Sequence, residues 1–137
     1  MQETTIRADA TFQCSRQIRQ ILLYADAERL LFIRDLLRSE GLRIVNLVAL
    51  TTAVSTPDAT VLRRLFIRPS GEQVRIHVED DTMYIDGNTR CRTGVSKYFE
   101  FLVHQNQDTH DSHIHLEYYP NHPYLDPESI ALVVGMK

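Results

Sequence analysis

The apolar positions of this chain change period several times, and each change predicts an element. In "QIRQILLYA" the continuous run Ile21 to Tyr24 predicts a strand. In "ADAERLLFIRDLLRSEG" the spacing lengthens: Leu30, Ile33 and Leu37, with Leu36 beside them, form one stripe of a helix. Asp26 suits its N-cap, Glu28 the positive end of its dipole, and Gly41 its stop. "LRIVNLVALTTAV" is β-branched and apolar, and a turn over Ser55, Thr56, Pro57 and Asp58 leads into "ATVLRRLFIRP", so these two segments are expected to pair as a hairpin. A second hairpin follows. Val74, Ile76 and Val78 alternate with Arg75, His77 and Glu79, Met83 and Ile85 lie on the partner strand, and Asp80 and Asp81 make the turn.

Asn88 or Thr89 then caps a second helix, whose inward stripe is Cys91, Val95, Tyr98, Phe99, Leu102 and Val103. Gly94 weakens that helix by about 1 kcal/mol relative to alanine, which suggests close packing against the sheet. "HQNQDTHD" ends the helix and begins a loop, "SHIHLEYY" alternates as a strand, "PNHPYLDP" is a loop, and "SIALVV" closes the chain as a strand. The order β-α-β-β-β-β-α-β-β predicts a single α+β domain, with a mainly antiparallel sheet covered on one face by two helices. Residues 1–16 lack periodicity and are expected to be a flexible tail, leaving 17–137 as the domain. No sequence repeat is evident, although each half holds one helix followed by a pair of strands.

Composition agrees with one globule: 137 residues, 43% apolar and 24% charged, suffice for a single core. A net charge of -3 supplies no general attraction for nucleic-acid phosphates. Arg63, Arg64 and Arg68 cluster, but strand alternation would split Arg63 from Arg64, so no nucleic-acid partner is expected. Cys14 and Cys91 have no metal-type spacing and are expected to be free thiols in a reducing compartment. The N-terminus has no signal-peptide core, and no apolar run is long enough to span a bilayer. A cytoplasmic protein without a membrane partner is the expectation.

Histidines are the most conspicuous chemistry, with four of six between residues 110 and 122. On a strand His113 and His115 share one face while Ile114 and Leu116 take the other, so the histidines should face solvent. Glu117 shares their face, which makes a His113, His115, Glu117 metal site geometrically allowed. Solvated strand histidines are the favoured reading, and no cofactor is expected. No GxSxG elbow, phosphate loop or nucleophile setting occurs, so no catalytic residues are assigned and no enzyme is expected.

From Met83 onward, "MYIDGNTRCRTGVSKYFEFLVHQN" and "HIHLEYYPNHPYLDPESIALVVG" resemble the immunity protein 32 family of bacterial toxin-neutralising proteins. The shared pattern is the Asp86-Gly87-Asn88 turn, an amphipathic helix over Val95 to Val103, the "HxHL" strand His113 to Leu116, a variable loop, and a terminal strand after Glu128-Ser129. The resemblance covers residues 83–137. It implies a non-catalytic inhibitor that binds a cognate protein toxin.

Under that reading the loop presents Tyr118, Tyr119, His122 and Tyr124 as aromatic contacts, flanked by Glu117, Asp126 and Glu128. A tyrosine beside prolines equally often packs its loop onto its own domain. The N-terminal half, "QILLYADAERLLFIRDLLRSEGLRIVNLVAL", loosely resembles the βαβ opening of an ACT-type domain, which would imply amino-acid sensing as the alternative. A small metal-binding protein using the HxH strand is a third.

Overall fold

The computed structural model describes residues 2–52, 54–105 and 112–137. Ten strands and two helices follow in the order β1 (Gln2–Arg7), β2 (Asp9–Cys14), β3 (Arg19–Ala25), α1 (Ala27–Arg38), β4 (Arg43–Val48), β5 (Ala59–Val61), β6 (Arg64–Arg68), β7 (Arg75–Glu79), β8 (Thr82–Asp86), α2 (Thr89–Gln105), β9 (His113–Leu116) and β10 (Ala131–Met136). The α+β class and the order from β3 onward are as the sequence predicts. The segment "ATVLRRLFIRP", expected as one strand, is split into β5 and β6, which lie in different sheets.

Two expectations need correction. The tail expected over residues 1–16 is instead built into the sheets across residues 2–14: β1 pairs parallel with β4, and β2 pairs antiparallel with β3. The segment's alternation is largely polar, with Ile6, Ala8 and Ala10 turned into the core and Phe12 packed against it. Nor is there one sheet. Five strands in the order β1-β4-β6-β8-β7 form a first sheet, and five in the order β5-β2-β3-β10-β9 a second, each mixing parallel and antiparallel neighbours. The two predicted hairpins do pair antiparallel, β4 with β6 and β7 with β8. The ACT-like opening is absent as a βαβ unit, because β3 lies in the second sheet and β4 in the first.

The two sheets meet along seams bridged by backbone hydrogen bonds. Between β1 and β2, Ala8 donates to the Val48 carbonyl of the first sheet, while the Ala10 carbonyl accepts from Leu62 (2.8 Å) in the second. At the opposite seam Val74, at the start of β7, donates to the Tyr124 carbonyl, and Ile130, just before β10, donates to the Ile76 carbonyl, both at 2.8 Å. One core results, joining the inner residues of both sheets to the helix stripes Leu30, Ile33, Leu37 and Cys91, Val95, Phe99.

An internal two-fold relation emerges that the sequence conceals. The hairpin β2-β3 precedes α1, and the hairpin β7-β8 precedes α2. After each helix the chain crosses to the other sheet and lays down an antiparallel pair, β4 with β6 or β9 with β10. The later strand of that pair runs parallel to the pre-helix strand of the other half, β6 against β8 and β10 against β3. Even the caps correspond: Asp26 Oδ1 accepts from the amide of Arg29, and Asn88 Oδ1 from that of Cys91, both at 2.8 Å. The halves are therefore interlocked, each completing the other's sheet.

Candidate functional site

The loop between β9 and β10 is built on a buried side chain. His122 is 3% exposed, and its Nδ1 accepts from the backbone amides of Tyr124 and Leu125, each at 3.0 Å. Accepting at Nδ1 places the ring proton on Nε2 in the neutral form. Burial holds the imidazole below its usual range. Downstream, Ser129 Oγ donates to the Val74 carbonyl and accepts from Ile76 N, while Asp126 Oδ1 accepts from Glu128 N. The loop is thus stitched to the edge of β7, and its last six residues have little freedom.

This geometry divides the sequence-predicted contact residues. His122 is structural. Tyr124 is half-buried over Gly94, where an added Cβ would lie 2.3 Å from the ring, so the glycine admits the tyrosine. The close packing expected at Gly94 is real, but its partner is this loop. Asp126, half-buried, organises the turn. What remains at the surface is Glu117, Tyr118, Tyr119 and Glu128, with Tyr119 53% exposed. Tyr119 still contacts His122, ring centroids 4.5 Å apart, so the clamp fixes the base of an exposed ring.

The exposed aromatic surface continues onto α2, which the sequence did not indicate. Lys97, Tyr98, Phe101 and Ile114 line an open groove between α2 and β9, and Phe101 is 56% exposed. Tyr98 joins groove to loop. Its phenol is held above the usual range first by burial and then by the neighbouring phenols of Tyr119 and Tyr124. Phe101 lies outside the inward stripe of α2, and an exposed Phe beside a helix stripe is the signal that could have found it.

His113 and His115 are exposed, with Ile114 between them half-buried and Leu116 after them buried, as the alternation predicts. Their rings meet edge-on at 5.1 Å, and His115 Nδ1 lies 3.8 Å from Glu117 Oε1. Among the described residues no group of three His, Cys, Asp or Glu side chains is arranged to hold a metal ion. Cys14 is exposed and Cys91 buried, both free.

A second polar constellation lies on the outer face of the first sheet. Arg68 grips Asp86 with two hydrogen bonds (2.6 and 2.7 Å), and His77 Nε2 meets the same carboxylate at 2.8 Å. Tyr84 stacks on His77 and meets Phe66 edge-on, with the Arg68 guanidinium 4.4 Å from its ring centre. Burial would raise the Asp86 carboxyl, but hydrogen bonds from Arg68 and His77 outweigh it and hold the group below the usual carboxylate range. Beside Asp86 opens a polar cleft of about 330 Å³, lined also by Glu72, Gln73, Arg75 and Asp126. A carboxylate fixed by an arginine is an anchored ion pair, and Ser70 also lines the cleft beside it. Arg63 and Arg64 are both exposed, and Arg64 lies 3.9 Å from Asp81.

No family model, curated protein or solved structure matches this chain. Among the described residues no helix is long and apolar enough to cross a membrane.

Proposed function

We propose that this protein works by binding: it is an immunity-type inhibitor that captures a protein toxin without catalysis. The observation that supports this best is the exposed aromatic surface running from Tyr118 and Tyr119 past Tyr98 to Phe101, on a frame held by the His122 clamp. A large apolar patch beside charged residues is what a protein interface needs, and a fixed loop loses less conformational entropy when a partner orders it. Glu117 and Glu128 form an acidic rim that favours a basic partner surface, such as the cleft of a nucleic-acid-degrading toxin. No metal or cofactor enters this reading.

The test is to read the adjacent genes for a toxin domain and co-express it with this chain, followed by binding kinetics on the purified pair. The wild-type chain should protect the cell and form a stable complex. Tyr119→Ala should raise the dissociation rate, costing about 2 kcal/mol if the ring is an anchor. Glu117→Gln with Glu128→Gln should chiefly slow association and weaken its salt dependence. The reading sinks if the chain neither binds nor protects, or if these variants and Tyr118→Ala all bind as the wild type does.

A further inference from the structure

The internal two-fold relation sets β9 against β4, and the two strands differ in one respect. β4 has a neighbour on its outer side, β1, which runs parallel to it. β9 ends its sheet, and among the described residues no strand pairs with its outer edge.

Hydrogen-bond phase shows that the correspondence reaches individual residues. Leu47 N donates to the Arg63 carbonyl directly opposite, so in the antiparallel ladder Val45 and Leu65 also form a bonded pair, and the backbone groups of Ile44 and Asn46 turn outward to β1. In the second sheet Met136 N donates to the Ser112 carbonyl directly opposite. Alternation then pairs Ile114 with Val134 and Leu116 with Leu132, and turns the backbone N–H and C=O of His113 and His115 outward. Leu116 thus stands where Val45 stands, and His115 where Ile44 stands.

The side-chain surroundings fit an added strand. On β1 the residues beside Val45 and Leu47 are Thr4, which is exposed, and Ile6, which enters the core. A strand laid on β9 in the same sense would turn one inward residue beside Ile114, next to the groove lined by Lys97, Tyr98 and Phe101. That groove is apolar and open, with the aliphatic stem of Lys97 at its rim.

We propose that the outer edge of β9 accepts an extended segment of the protein partner as a sixth strand of the second sheet, parallel to β9 as β1 is to β4, with one apolar side chain seated between Tyr98, Phe101 and Ile114. Backbone bonds to His113 and His115 supply affinity, and the groove selects the residue. The HxH pattern acquires a role here: charged or polar residues on a short edge strand discourage indiscriminate pairing, leaving a matched segment to pair. This inference deepens the protein-binding reading and rests on it for the identity of the partner, while the edge itself is testable alone.

The probe is a phage-displayed library of random nonapeptides selected on the full chain. Selected peptides should carry apolar residues two apart and bind His115→Gln like the wild type. They should lose binding by about tenfold or more to Phe101→Ala. His115→Pro removes one outward N–H while sparing the ladder to β10, so it should fold with an unchanged melting temperature and bind no selected peptide. If His115→Pro fails to fold, N-methylation of the same amide by semisynthesis replaces it. The proposal is overturned if no peptide is selected, if peptides bind the blocked edge equally well, or if the chain instead forms a dimer that His115→Pro dissolves, because two copies related by a two-fold axis would pair β9 antiparallel. A toxin neutralised equally by His115→Pro sinks the strand and leaves the binding reading standing. Edge-dependent peptide binding without any toxin complex does the reverse.

Discussion

The two halves of the molecule share a plan and fill it differently. At the helix position one turn inside the cap, α1 carries Leu30, which enters the core, whereas α2 carries Arg92. Arg92 is 0% exposed and, among the described residues, forms no ion pair in contact with a carboxylate; its guanidinium donates to the carbonyls of Gly87 (2.9 Å), Leu37 (3.2 Å) and Ser39 (2.8 Å). Burial lowers its pKa, and the carbonyls at the C-terminal end of α1 offer the negative end of a helix dipole in return. One half therefore reads the other's unsatisfied helix end. A repeated framework can hold an apolar residue on one side and a buried cation on the other, provided the cation meets orphan acceptors.

The largest expected effect tests whether the halves form one cooperative unit. Phe99 and Leu37 occupy equivalent stripe positions and are both 0% exposed. Phe99→Ala should cost about 3–5 kcal/mol and Leu37→Ala about 2–5 kcal/mol, each in a single denaturant transition. Two separate transitions in either variant would mean that the interlocked sheets do not unfold together.

Making α2 resemble α1 comes next. Arg92→Leu should cost about 2–3 kcal/mol, because the carbonyls of Leu37, Ser39 and Gly87 lose a donor in a buried setting. An unchanged or raised melting temperature would show that the cation is dispensable there.

The loop clamps differ in charge, which separates the halves by pH. In the N-terminal half Asp9 Oδ1 accepts from Leu50 N (2.7 Å) and Thr51 N (3.2 Å), and Lys137 pairs with its other oxygen at 2.9 Å. Burial works to raise the Asp9 carboxyl, but the bonds from Lys137 and the two amides lower it on balance. In the C-terminal half neutral His122 does the equivalent work. Both folded values lie below the unfolded ones. The His122 contribution is therefore complete above about pH 6.5 and is lost as pH falls through its folded value. The Asp9 contribution persists to lower pH, complete above about 3.9 and lost below it. Stability measured by urea from pH 7.5 to 4.5 should fall for the wild type, and the slope should flatten in His122→Ala but not in Asp9→Asn. Identical slopes in all three proteins would remove His122 from the account.

The smallest effect concerns the solvent face of β9. Replacing His113 and His115 together by Gln should shift stability by less than about 1 kcal/mol, as for most surface substitutions. Stoichiometric zinc in the purified protein, lost with stability in this variant, would contradict it.

Legibility in the sequence followed the strength of each local signal. The stripe and cap of α1, the alternation of β7 and β8, and the outward turn of His113 and His115 could all be read, because each depends on neighbours within one element. β1 and β2 could not, since Thr4, Thr5, Thr11 and Gln13 give an alternation too polar to stand out. The candidate surface was half legible. Tyr118 and Tyr119 are exposed as expected, but His122 and Tyr124 have the same aromatic character and were drawn inward by amides and a glycine that lie elsewhere in space. Phe101 joined them only through packing of α2 beside β9.

By itself the sequence determined most of the elements from β3 onward, their inward faces and the α+β class, because periodicity and capping are properties of a few consecutive residues. Only the tertiary structure decided that the strands divide into two sheets, that the halves interlock around a two-fold relation, that Arg92 serves the far end of the other helix, and that β9 is left with an open edge. Those are facts about which residues meet far apart in the chain, as β1 meets β4 and Arg92 meets Leu37. Non-local pairing is set by how all the elements close one core, and no local pattern carries that information.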